Sequence, residues 1–224
     1  MATTVTTAGR AVVGESKALT WLTGWIRRHK QVATYLAVTL VVALGLFAWS
    51  FLTAKTAERS AGRQIVQARL ALDSKNYPLA ASVLSQVVEN FSGTHAAQEA
   101  SILLAQARLA QGQTQQAIDV LQRSAPKADK SFRAQSYALL GAAYENALRP
   151  KEAATAYETA GAAALYPFLR AQFLSDAGRA WLAAGDTAKA LVAYRTIAEK
   201  LDSTTAAGEA KVRLGELTKG SGQP

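Results

Sequence analysis

The sequence predicts an all-α protein with a single N-terminal transmembrane helix, followed by a solenoid of about four helical hairpins and a C-terminal capping helix. Three observations carry this reading. Residues 31–54 contain no charged side chain, small residues recur every 36 or 37 positions in two registers, and the registers keep a constant offset of 12. The 224-residue chain is 50% hydrophobic and 18% charged, which suits packed helices and excludes a disordered chain. It has no cysteine. That removes disulfides, thiolate metal sites, cysteine nucleophiles and a lipid-modified cysteine as explanations of its function.

The first element is the apolar run from Val32 to Leu52, 21 residues long, about what a helix needs to cross a hydrocarbon layer of roughly 30 Å. A cleaved signal peptide is the main rival. Thirty residues precede the uncharged stretch 31–54, its apolar run exceeds the usual ~7–15 apolar residues of a signal sequence, and Leu52-Thr53-Ala54 makes a poor cleavage site. An uncleaved signal anchor is therefore expected over 31–54. Orientation follows from charge: Arg27, Arg28 and Lys30 crowd its start, whereas Lys55, Arg59 and Arg63 are spread beyond its end. The positive-inside rule then puts residues 1–30 in the cytoplasm and residues 55–219 in the periplasm of a bacterial inner membrane, with 220–224 as a flexible end. Trp21 and Trp25, one helical turn apart and ahead of the basic cluster, together with Trp49, are expected at the membrane interface. The tryptophan pair alternatively docks on a partner's membrane helices.

The second element is the repeat. Ala68, Ala105, Gly141, Gly178 and Gly215 are separated by 37, 36, 37 and 37 residues; Ala80, Ala117, Ala153 and Ala190 by 37, 36 and 37. A small residue on each of two helices at fixed offset lets antiparallel backbones approach closely, so each unit reads as a helical hairpin. Leu104, Leu140 and Leu214 before the small residue are expected core positions. So are Tyr144 and Trp181 three after it, and Leu84, Leu121, Tyr157 and Tyr194 four after the second alanine. Asn76, Gly112, Arg149-Pro150 and Gly185-Asp186-Thr187 mark the hairpin turns. Ala206 to Lys219 continues the phase as a closing helix.

These residues resemble the tetratricopeptide repeat. Tyr137, Leu140, Gly141, Tyr144, Ala153, Tyr157 and Ala160 match that family's spacing, and Gly178, Trp181, Gly185, Ala190 and Tyr194 follow it. The second unit has Arg108 where a tyrosine is usual, the first has Ala68 and Ala71 in the small and aromatic slots, and the period exceeds the standard 34. The surplus is expected in the links 124–130 and 163–167. The architecture of basic tail, single anchor and small repeat domain is also similar to the bacterial ancillary Sec-translocon subunit family. That resemblance implies a periplasmic repeat domain that binds membrane complexes and chaperones.

No catalytic constellation emerges. His29 and His95 are the only histidines, no phosphate loop or nucleophile elbow appears, and acidic residues are scattered over expected solvent faces. Beyond the anchor, basic and acidic residues alternate without the stripe a nucleic-acid interface needs. No enzyme activity, cofactor, metal or small-molecule substrate is therefore expected. Recognition by surface remains.

Counting from the small positions places Arg69, Gln106, Glu145 and Arg179 on the groove face of the first helices as candidate partner-binding residues. Ile65, Ile102, Ala138 and Ser175 disfavour capture of a terminal carboxylate there. Leu165-Tyr166-Pro167-Phe168-Leu169 is read first as packing of the joint between two units, and alternatively as an exposed anchor in which Tyr166 and Phe168 meet a partner; burial of Phe168 decides. The expected function is a non-catalytic, membrane-anchored scaffold or accessory subunit of an inner-membrane complex of the translocon and chaperone type. The alternatives are a structural subunit of a respiratory or photosynthetic complex and an envelope or cofactor assembly factor. Its expected partners are subunits of an integral-membrane complex, periplasmic chaperones or peptides.

Overall fold

A computed structural model describes residues 29–218, and every described element is helical. The helices are α1 (Lys30–Asp73), α2 (Tyr77–Asn90), α3 (His95–Ala110), α4 (Thr114–Ser124), α5 (Lys130–Asn146), α6 (Pro150–Ala163), α7 (Pro167–Ala183), α8 (Thr187–Lys200) and α9 (Ala206–Leu217), with a 3₁₀ turn over Ala125–Lys127. Trp21, Trp25, Arg27, Arg28 and Lys219 lie outside the described residues. The chain divides into two compact units between Thr53 and Ala54.

Up to Thr53, α1 has no protein cover on its described side chains. Tyr35, Val41, Phe47 and Trp49 are all about 70% exposed. The hydroxyls of this stretch turn inward on their own helix: Thr34 donates to the Lys30 carbonyl at 2.8 Å, Thr39 to Tyr35 at 2.8 Å, and Ser50 to Phe47 at 2.8 Å. Among the described residues it is the one helix long and apolar enough to cross a membrane.

From Ala54 onward, α1 pairs with α2, α3 with α4, α5 with α6 and α7 with α8, and α9 closes on α7 and α8. Most counted positions are buried: Ala68, Ala80, Leu84, Ala105, Ala117, Leu121, Ala153 and Ala190 have no exposed surface, and Trp181 and Tyr194 show 3%; in the closing helix, which no further hairpin covers, Leu214 is only partly buried and Gly215 is exposed. The small position is matched to what faces it. A Cβ on Gly141 would stand 2.8 Å from the Tyr157 ring, and one on Gly178 2.7 Å from that of Tyr194. Where alanine replaces glycine, at Ala68 and Ala105, the fourth residue after the second alanine is Leu84 or Leu121, and each pair shares a core cluster. The core forms two clusters that meet along α3.

A third register appears at the hairpin turns. Lys75, Gly112, Leu148 and Gly185 all have positive φ, between 57° and 79°. Each donates its N–H to the carbonyl three residues back, and the next residue donates to the carbonyl five back, closing the first helix of the hairpin. Proline or a polar cap then opens the second helix: Pro150 at the start of α6, Asn76 accepting from Leu79 N at 3.3 Å, Asp186 accepting from Lys189 N at 3.1 Å. Leu148 fills the left-handed position with a branched side chain that is 88% exposed. Strain there is about 1–2 kcal/mol, partly offset by the larger chain entropy of glycine when unfolded. Leu148→Gly is expected to stabilise the fold by about 0.5 kcal/mol and Gly185→Ala to cost about 1 kcal/mol, read from chemical denaturation. Of the two links expected to carry the extra residues, 125–129 does hold a 3₁₀ turn, whereas 164–166 is three residues, no longer than a hairpin turn.

Candidate functional site

The first helices form one rank: α3 packs on α5 and α7 on α9. Their shared face holds the residues singled out by phase. Arg69 and Gln106 are exposed, and the Arg179 side chain is 58% exposed. The two cations are paired across the joints between hairpins. Arg69 on α1 bonds Glu99 on α3. Arg179 on α7 reaches back to Glu145 on α5 with Nη1 at 2.7 Å from Oε1, while its Nη2 contacts Asp176 Oδ1 at 3.1 Å. The other oxygen of Glu145 accepts from the Tyr157 hydroxyl at 2.8 Å. One carboxylate thus fastens α5, α6 and α7.

This network shifts its members' ionisation. Burial, then the hydrogen bond and charge of Glu145, push the Tyr157 hydroxyl far above its ordinary range. Burial alone would lower the Arg179 guanidinium, but its hydrogen bonds to Asp176 and Glu145 outweigh that and hold it above its usual value. At Asp176 the order is reversed: burial raises the carboxyl despite the hydrogen bond and charge of Arg179. A folded-state pKa above the unfolded value means this aspartate opposes folding once ionised; the cost is absent at low pH and grows as pH rises through the interval between the two values. Acidification towards the ordinary aspartate range is therefore expected to relieve this cost. Asp176→Asn should remove that part of the pH dependence in denaturation curves.

Carboxylates read as scattered on solvent faces are in fact placed at joints. Glu58 on α1 accepts from the backbone N–H groups of His95 and Ala96 at 3.0 and 2.8 Å, capping α3. Asp129 takes Gln98 Nε2 at 2.9 Å and faces His95 Nδ1 at 3.1 Å. Glu158 accepts from Trp181 Nε1 at 2.8 Å, and Glu152 pairs with Arg149 at 2.9 Å. Glu145, Glu152 and Glu158 thus hold separate partners. Among the described residues no group of three His, Asp or Glu side chains is placed to hold a metal. A hollow of about 250 Å³ lies beside Arg69, bounded by Glu58, Ile65, His95 and Glu99. Phase counting locates the arginines but misses Glu99 and Asp176, because neither occupies a repeating position.

The expectation that Tyr166 and Phe168 pack the joint is overturned. Tyr166 is 58% exposed and Phe168 60%, with their rings stacked at a centroid distance of 5.8 Å, and Leu165 beside them is equally open. Pro167 starts α7 at this point, so the backbone turns before the aromatic pair can fold inward. Lys30 and Trp49 are exposed on α1.

Among solved structures, the chain is similar to a Podosopora anserina protein described as a kinesin light chain with nearly identical TPR-like repeats. The TM-score is 0.57 at 21% identity, over 75% of this chain and 89% of that one. A point variant of the same protein gives the same TM-score and identity, with 88% of that chain covered. At this identity the likeness concerns the fold alone. No curated protein matches the chain. Residues 60–174, just over half of the sequence, match the tetratricopeptide repeat-like domain. With the paired helices, the two small-residue registers and the glycine–tyrosine contacts, this match shows that the chain belongs to the tetratricopeptide repeat-like family.

Proposed function

We propose that this protein is a non-catalytic scaffold, anchored in a bacterial inner membrane by residues 31–54, with its N-terminus in the cytoplasm and its repeat domain in the periplasm. The observation that carries the reading is the bare apolar segment of α1, whose exposed Val, Leu, Phe and Trp side chains call for lipid and whose hydroxyls bond back to their own helix. A repeat-like fold supports protein partners, which the first-helix face with Gln106 and the Glu145–Arg179 pair, and the open Tyr166–Phe168 pair, are suited to meet. The similarity of overall plan to the ancillary Sec-translocon subunit family favours membrane-complex subunits and chaperones as those partners.

Because the chain has no cysteine, single cysteines report topology cleanly. A cysteine at Ser203 is expected to react with a membrane-impermeant maleimide once the outer membrane is permeabilised, and one at Thr6 only after the inner membrane is opened. The opposite pattern inverts the orientation, and release of the protein by alkaline carbonate contradicts the anchor.

A further inference from the structure

Where the two cores meet, α2 and α4 stand apart and leave a cavity of about 550 Å³ over the outer side of α3. That size is in the range of small-ligand sites. Its apolar part is built from buried Leu104 and the half-buried Val88 and Val120. Ser124, at the end of α4, lines the cavity, and its hydroxyl oxygen is buried with no hydrogen-bond partner among the described residues. A buried hydroxyl without a partner costs about 1–3 kcal/mol, so a guest or water that reaches it is favoured. Close to it in sequence, Arg123 and Lys127 line the cavity from exposed positions and make no ion pair among the described residues; Arg123 Nε donates to the Asp119 carbonyl at 3.0 Å, which leaves its two Nη groups for a guest.

The charges on the lining decide the sign of the ligand. Asp119 is engaged by Gln115 Nε2 at 2.7 Å, and Arg108 donates to Gln113. Both partners are neutral amides and cancel no charge, so Arg108, Arg123 and Lys127 stand against Asp119 and Glu89, an excess of one positive charge. We infer that this cavity binds a small organic anion with an apolar body and a carboxylate head: the body lies on Val88, Leu104 and Val120, and the carboxylate accepts from Ser124 and from Arg123 or Lys127. The lining draws on α3 as well as on α2 and α4 but includes none of Arg69, Gln106, Glu145 or Arg179, so it stands or falls apart from the scaffold reading.

The test uses the full chain in lipid nanodiscs, with 1-naphthaleneacetate as probe, its neutral amide as control and empty discs as blank. The acid is expected to saturate at one molecule per chain and to bind at least five-fold more tightly than the amide. Arg123→Gln with Lys127→Gln should abolish that preference. Val120→Phe, which fills the cavity, should weaken both ligands at least ten-fold without lowering helicity. Absence of saturable binding above empty discs overturns the proposal, as does equal binding of acid and amide to the wild type, or binding indifferent to Val120→Phe. Should the phenylalanine variant fail to fold, the surface pair still decides: an acid preference that survives its removal rejects the site.

Discussion

Trp181→Ala is expected to cost about 3–5 kcal/mol, the range for removing a large aromatic from a packed core. The indole is 3% exposed in the last turn of α7. Its Nε1 is tied to Glu158 on α6 at 2.8 Å, and the Lys189 ammonium of α8 sits 4.0 Å from the ring centroid. One side chain thus joins the third hairpin to the fourth. For a protein of this size the loss corresponds to a fall in melting temperature on the order of 10 °C. Trp181→Phe keeps most of the volume and loses the hydrogen bond, so its cost should stay nearer 1–2 kcal/mol. A drop below about 1 kcal/mol for the alanine variant, measured by denaturation of the full chain in detergent, would mean the two hairpins do not share this core.

Gly178→Ala is the second large effect, and it runs against local propensity. Alanine is better than glycine inside a helix by about 1 kcal/mol, yet here its Cβ would meet Tyr194 at 2.7 Å. The tyrosine is 3% exposed and cannot swing aside without disturbing its neighbours. Overpacking of this kind costs about 1–3 kcal/mol, and Gly141→Ala should behave alike against Tyr157. A double-mutant cycle isolates the cause. In a Tyr194→Leu background, which reproduces the Ala–Leu combination of the first two hairpins, Gly178→Ala should cost nothing or stabilise. An undiminished penalty there would place the strain elsewhere than the ring.

These contacts explain which parts of the molecule could be read from residues alone. Close approach of two backbones demands small residues at fixed offset, so the hairpins and their core positions were visible in two registers of Ala and Gly. All four turns were marked, but the left-handed residue was legible only at Gly112 and Gly185, because Lys75 and Leu148 hold the same position without glycine. Groove arginines at Arg69 and Arg179 followed from phase. Of their partners only Glu145 did: ion pairs between neighbouring hairpins tolerate any spacing that brings two long side chains together, and Glu99 and Asp176 share no register with it. Exposure of Tyr166 and Phe168 depended on where Pro167 turns the chain, and the gap between α2 and α4 on how far apart two non-adjacent helices come to rest. Neither is a property of local sequence.

The most direct measurement is gentle detergent extraction of the native membrane followed by native separation and mass spectrometry of the complex containing this chain. An integral-membrane assembly carrying secretion or chaperone subunits is the predicted result, with Arg179→Ala and the pair Tyr166→Ala and Phe168→Ala weakening association while leaving the anchor in place. A chain recovered as a lone monomer, or found in the soluble fraction, would contradict it.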